Sequence, residues 1–188
     1  MFKIAIDVDE VLTPFLPTMM KWKPPKTKLT KYPYVYRTIY GTTEKESQKL
    51  VRDFYQSSEF RDLRPIEDSQ KVLTQLKKEN KLYVVTARQT CIQKQTEEWI
   101  EKWYPGIFTD VILTNGYTEN EIKKVDVCKI LNIGLIVDDN LWTCTECMDG
   151  GIKAVNFIGD PVYPWCYENN ISIKSWRELY NGGTVSGH

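Results

Sequence analysis

At 188 residues the chain is long enough for one core of ordinary size with a small appended module, and too short for several independent domains. Lys plus Arg and Asp plus Glu both number 25, so no net charge draws it toward a nucleic acid polymer or an anionic membrane, and no stretch approaches the ~20 apolar residues of a membrane span. Five cysteines, Cys91, Cys128, Cys144, Cys147 and Cys166, are an odd number scattered through apolar or helical contexts, which fits free thiols in a reducing, cytoplasmic setting better than a disulfide framework.

The first apolar run, FKIAIDV at 2–8, predicts a buried strand that ends in Asp7-Val8-Asp9. Two acidic side chains at the exit of such a strand are costly to bury near each other unless a metal or a proton offsets their repulsion. The same acids, with Glu10, interrupt the apolar run that a signal peptide would need. From about Phe15 to Pro65 no strong strand run follows. This interval opens with the Pro/Lys/Tyr-rich KWKPPKTKLTKYPYVYRTIYG and continues as TEKESQKLVRDFYQSSEF, where a Thr43-x-x-Glu46 capping box and a stripe of Leu50, Val51 and Phe54 predict a helix.

Regular alternation then sets in. Val72, Leu73 and Leu76 share a helical face in 67–80, and KLYVVTA at 81–87 reads as a strand. Ile92, Thr96, Trp99, Ile100 and Trp103 share a face in 89–103, followed by the strand runs DVILTN at 110–115, GLIVDD at 134–139 and KAVNFI at 153–158. Short, nearly continuous β-branched runs are the mark of parallel strands covered on both faces. With helices between them they predict an α/β fold, a Rossmann-like three-layer sandwich around a central parallel sheet. The expected division is a core of 1–14 and 66–181, a small insertion of 15–65, and a flexible, aperiodic tail of 182–188.

In an open parallel sheet, ligands bind beyond the carboxyl ends of the strands. Strand one ends in Asp7 and Asp9, the second run in Thr86-Ala87-Arg88, and the fourth in Asp138-Asp139-Asn140, while Lys123-Lys124 start the helix leading into it. Carboxylates at this density suit a hard cation such as Mg²⁺, which takes few protein ligands and shares itself with phosphate. A lysine and a threonine hydroxyl would bind the remaining phosphate oxygens, leaving one aspartate free to attack. Spacing alone leaves Lys123 and Lys124 both open for that role, and Arg88 open between a substrate contact and a surface salt bridge.

These four segments, in order, resemble the motifs of the haloacid dehalogenase-like (HAD) phosphohydrolases. DVDEVL is similar to their first motif, LYVVTAR to the second, Lys124 with VDVCKIL to the third and GLIVDD to the fourth, so the likeness covers roughly 1–14 and 66–160. The resemblance implies that Asp7 is the nucleophile forming an aspartyl-phosphate, and that Asp9 protonates the leaving oxygen and later activates water. It implies that Thr86 and Lys124 hold the phosphate, and that Asp7, the backbone carbonyl of Asp9, Asp138 and Asp139 form the Mg²⁺ site. It also makes the insertion a mainly helical cap over the phosphate site.

Glu10 departs from the small glycine common after the second aspartate, which touches the local turn and also resembles the DxDET-type protein serine phosphatases. The short cap, TAR and the VDD ending are nearest to the 5′(3′)-deoxyribonucleotidase-like branch. A nucleoside monophosphate is therefore the first expected substrate, with a phosphoprotein, a sugar phosphate, a phosphotransferase reaction or a non-catalytic phospho-ligand module as alternatives. In the cap, Tyr32, Tyr34, Tyr36, Arg37 and Tyr40 are candidates to stack on a ring and bind an anion. Cys144-Thr145-Glu146-Cys147 has CxxC spacing, but no second pair accompanies it and His188 is the only histidine, so buried packing is the expectation.

Overall fold

The computed structural model describes residues 1–26 and 35–181; Tyr32, Tyr34 and the tail lie outside them. Strand β1 (Phe2–Ile6) is followed by helices α1 (Phe15–Trp22), α2 (Tyr36–Tyr40), α3 (Glu44–Tyr55), α4 (Ser58–Arg61) and α5 (Ser69–Leu76). Then come β2 (Asn80–Thr86), α6 (Gln93–Trp103), β3 (Asp110–Leu113), α7 (Lys124–Leu131), β4 (Leu135–Asp138), α8 (Leu141–Asp149), β5 (Lys153–Phe157), β6 (Ser172–Ile173) and α9 (Trp176–Asn181). The five strand runs are strands, and all neighbours in the sheet β3-β2-β1-β4-β5-β6 are parallel. β6 carries no apolar run, because a two-residue edge strand needs none.

Alternate residues on each strand feed opposite layers. Ile4, Ile6, Leu82, Val84, Val137 and Phe157 pack with Val72 and Leu73 of α5, Trp99 and Ile100 of α6 and Trp176 of α9. Ala5, Tyr83, Val85, Ile136 and Ala154 pack with Val125 and Cys128 of α7 and Cys144 and Cys147 of α8. The layers change sides between β1 and β4, where the winding reverses and a crevice is expected at the carboxyl ends of the strands. Cys144 and Cys147 are fully buried free thiols that seat α8 on the sheet.

The interval 15–65 contains no strand among its described residues. Thr43 caps α3 with a complete capping box to Glu46, as its sequence predicts. The helix α1 was not expected: Pro17 falls in its first turn, where a missing N–H breaks no intrahelical bond. An aromatic cluster holds these helices together, Phe15 lying 5.1 Å edge-on from Phe54 and 6.2 Å from Phe60. The chain leaves and re-enters the core at one place, where Ile66 N–H donates to the Leu12 carbonyl at 2.8 Å and the Thr13 hydroxyl to that of Arg64 at 2.9 Å.

Candidate active site

The end of β1 is fixed by its neighbour, since Asp7 N–H donates to the Val137 carbonyl at 3.0 Å. That register sets Asp7 beside Asp138 and Asp139 at the end of β4 across the reversal point. Oxygens of the three buried carboxylates lie within 4.8 Å of one another. Lys124, the first residue of α7, reaches in from the opposite layer, its Nζ 2.9 Å from Asp7 Oδ2 and 2.7 Å from Asp138 Oδ2. Lys123, one residue earlier, points away and pairs with Glu146 at the surface. Lys123 is the N-cap of α7, with extended backbone (φ −65°, ψ 136°), so its side chain leaves in a different direction from that of the first helical residue, Lys124.

Three acids against this ammonium leave the group short of positive charge. Burial raises Asp7; Lys124 opposes this, Asp138 and Asp9 add to it, and the result is a carboxyl pushed up to about 7. Asp139 is held well above the usual carboxylate range by burial first and then by Asp138 and Asp7. Burial pulls Lys124 down, but Asp138 and Asp7 together overcome it and hold the ammonium above the ordinary lysine range. The oxygen-only donor set, its density and its excess negative charge all fit a divalent hard cation such as Mg²⁺.

Neighbouring groups hold the acids in place. Asn140 N–H donates to Asp138 Oδ1 at 2.9 Å, Asn156 Nδ2 donates to the backbone carbonyls of Asp138 and Asp139 at 3.1 and 2.8 Å, and Trp165 Nε1 donates to Asp139 Oδ2 at 3.1 Å. Asn156 and Trp165 were not expected, although a buried asparagine inside the apolar run KAVNFI was a visible signal. A cavity of about 370 Å³ adjoins Asp139, walled by Asn140, Trp142, Trp165 and Tyr167.

Thr86 ends β2 fully buried next to β1, with its Oγ1 accepting from Arg88 N–H at 3.3 Å. The Asp9 carboxylate is outside the acidic trio, turned toward Arg88, whose Nη2 donates to Oδ1 at 2.7 Å. Arg88 is 3 % exposed, so this ion pair is interior and not at the surface.

Glu10 has φ +65°, the left-handed turn in which glycine is usual. Its side chain stays inward, Oε1 accepting from Leu16 N–H at 2.6 Å at the start of α1, and Tyr163 donates to its carbonyl at 2.8 Å. Burial and the nearby Asp139 and Asp9 hold its carboxyl well above the usual range. Of the described tyrosines and arginine of the insertion, Tyr36 is half-buried and stacked on Phe15 at 6.4 Å, Tyr40 is buried, and Arg37 is engaged by Glu44 at the surface.

A doubly wound parallel sheet with paired aspartates after β1 and β4 and a lysine entering between them defines a HAD-like phosphohydrolase. Solved structures agree on the fold. A haloacid dehalogenase-like hydrolase from Streptococcus pneumoniae matches with a TM-score of 0.68 at 13% identity, covering 97% of this chain and 98% of that one. A haloacid dehalogenase-like protein from Agrobacterium tumefaciens matches with 0.68 at 12%, covering 100% of both chains. A Bacillus subtilis chain described as a HAD hydrolase bound to magnesium matches with 0.61 at 16%, covering 97% and 98%. A comparison with curated protein sequences finds no match. The sequence profile of the 5' nucleotidase, deoxy (Pyrimidine), cytosolic type C family matches residues 1–127. The chain belongs to this family and is a phosphoric monoester hydrolase. No helix among the described residues is long and apolar enough to cross a membrane.

Proposed function

We propose that the protein is a Mg²⁺-dependent phosphatase that hydrolyses a nucleoside monophosphate in the cytoplasm through an aspartyl-phosphate on Asp7. The observation that carries this reading is the charge-deficient meeting of Asp7, Asp138 and Asp139 around Lys124 at the reversal point of the sheet. Asp7, Asp138 and Asp139, with the Asp9 carbonyl, would hold Mg²⁺, which would offset the charge of the carboxylates and of the phosphate facing them.

In the first step a carboxylate oxygen of Asp7 bonds to phosphorus as the ester oxygen departs with a proton from Asp9. In the second, Asp9 takes a proton from water, which attacks the phosphorus and frees the Asp7 carboxylate. Thr86 and Lys124 bind the phosphoryl oxygens through both steps. The interval 15–65 acts as a cap that excludes bulk water and faces the leaving group. The family's name supports a nucleotide substrate and a cytosolic setting.

Phosphate release from an aryl phosphate and a panel of nucleoside monophosphates, with Mg²⁺ and with chelator, tests this. The expected result is Mg²⁺-dependent release with nucleoside monophosphates ranked highest. Release that ranks sugar phosphates or phosphopeptides first would overturn the substrate assignment, and no release from any member would leave a phospho-ligand binder.

A further inference from the structure

We propose that Arg88 is a positioning residue for Asp9, which rests on the reading of Asp9 as the acid in the first step. Arg88 lies two residues past Thr86, the end of β2, on the same sheet edge as the site. Its guanidinium meets Asp9 by two points: Nε donates to Oδ1 and Oδ2 at 3.2 and 3.1 Å, and Nη2 to Oδ1 at 2.7 Å. A two-point fork fixes the plane of a carboxylate, which a lysine's point charge does not.

The arginine is itself held from several sides. Nη1 donates to Thr96 Oγ1 of α6 at 3.3 Å, and the flat face lies 5.2 Å over the Phe60 ring of α4. The pair is nearly closed to solvent on the arginine side, with side chains 2% and 19% exposed, so the open edge belongs to Asp9. Oδ1 takes the short bond and Oδ2 only the longer contact, which leaves Oδ2 the freer oxygen to carry the proton. As the phosphorus to ester-oxygen bond breaks, that proton passes to the departing oxygen, and the attacking water later returns one. With its fork spent on Asp9, Arg88 acts on the ester through Asp9 and not by binding phosphate.

The distinguishing consequence is dependence on the leaving group. Phenol titrates near 10, as tyrosine does, so phenolate leaves poorly without a proton. The 4-nitrophenolate ion is a far weaker base and needs little help. Values of kcat/KM report the step in which the leaving group departs. For Arg88→Met we expect about a 10²-fold loss on phenyl phosphate and less than about a tenfold loss on 4-nitrophenyl phosphate. Arg88→Lys, which keeps the charge without the fork, should recover little, and Thr96→Val should show the same selectivity in smaller measure.

Asp9→Asn serves as the reference. If Arg88 acts through Asp9, the double variant Asp9→Asn/Arg88→Met loses no more on phenyl phosphate than Asp9→Asn alone. Equal losses on both esters, additive losses in the double variant, or full recovery by Arg88→Lys would each overturn the assignment. An Asp9→Asn variant without leaving-group selectivity would instead sink the acid role of Asp9, whatever Arg88 does.

Discussion

Around Asp7, three buried carboxylates face the Lys124 ammonium, whereas Asp9, two residues along the same backbone, meets Arg88 charge for charge. The first grouping is held by the sheet and cannot relax its crowding: β1 and β4 are locked by main-chain bonds, so Asp7 and Asp138 stay together whatever their charge. The second grouping is made of side chains, with an arginine that brings its own counter-charge. The difference teaches what each is fitted for. A cluster short of positive charge attracts a cation and an anion bridged by it, while a charge-balanced pair joined at two points orients a group.

The sharpest break would come at Asp7, the proposed nucleophile. Asp7→Asn should lower turnover by about 10⁴-fold or more while circular dichroism stays that of the wild type, because asparagine preserves the shape and forms no acyl phosphate. A variant that kept turning over at the wild-type rate would end the nucleophile assignment. Next, Lys124→Met leaves the crowded acids without their ammonium and should destabilise the metal-free protein by about 3–5 kcal/mol in urea titration at neutral pH. Unchanged stability would mean that the cluster is not short of positive charge.

A gentler probe is pH. Asp7 stands at about 7 in the folded chain, above the ordinary 3.8, so the unfolded chain ionises first as pH rises. Stability in chelator should therefore fall between about pH 4 and about pH 7, with no contribution from this group below that window. Mg²⁺ should raise the melting temperature more near pH 7.5 than near pH 5, since the ion binds deprotonated carboxylates. A shift of the same size at both would contradict the charge deficit. The smallest effect belongs to Lys123→Ala, which removes an exposed partner of Glu146 and should leave melting temperature and turnover unchanged.

The strands could be read directly because parallel strands covered on both faces need unbroken apolar runs, and the acids could be read because each stands where such a run stops. Asp7, Thr86 and Asp138 were visible for that reason. The choice between Lys123 and Lys124 needed the exact start of the helix: Lys123 is the extended N-cap and Lys124 the first helical residue, and only the seated α7 decides which one reaches the acids. The partner of Arg88 was hidden because ion pairing between separate strand ends leaves no periodic trace, and a surface bridge was as consistent with the sequence as an interior one. Glu10 was seen as a departure from glycine, but that its carboxyl would cap Leu16 could not be known before α1 was in place. The helix α1 was obscured by Pro17, whose position in the first turn removes the objection it raises.

The sheet order β3-β2-β1-β4-β5-β6 has a consequence for how the protein comes into being. Of the six strands, the first in chain order is a central one, and both of its partners, β2 and β4, are synthesised much later. Between Asp7 and its companions Asp138 and Asp139 lie two further strands and most of the helices. Long-range parallel pairing of this kind is slow, because loop closure must be met before any contact rewards it. A nascent chain therefore carries Asp7, the proposed nucleophile, well before Asp138 and Asp139 join it, and the appearance of catalysis would report the arrival of β4.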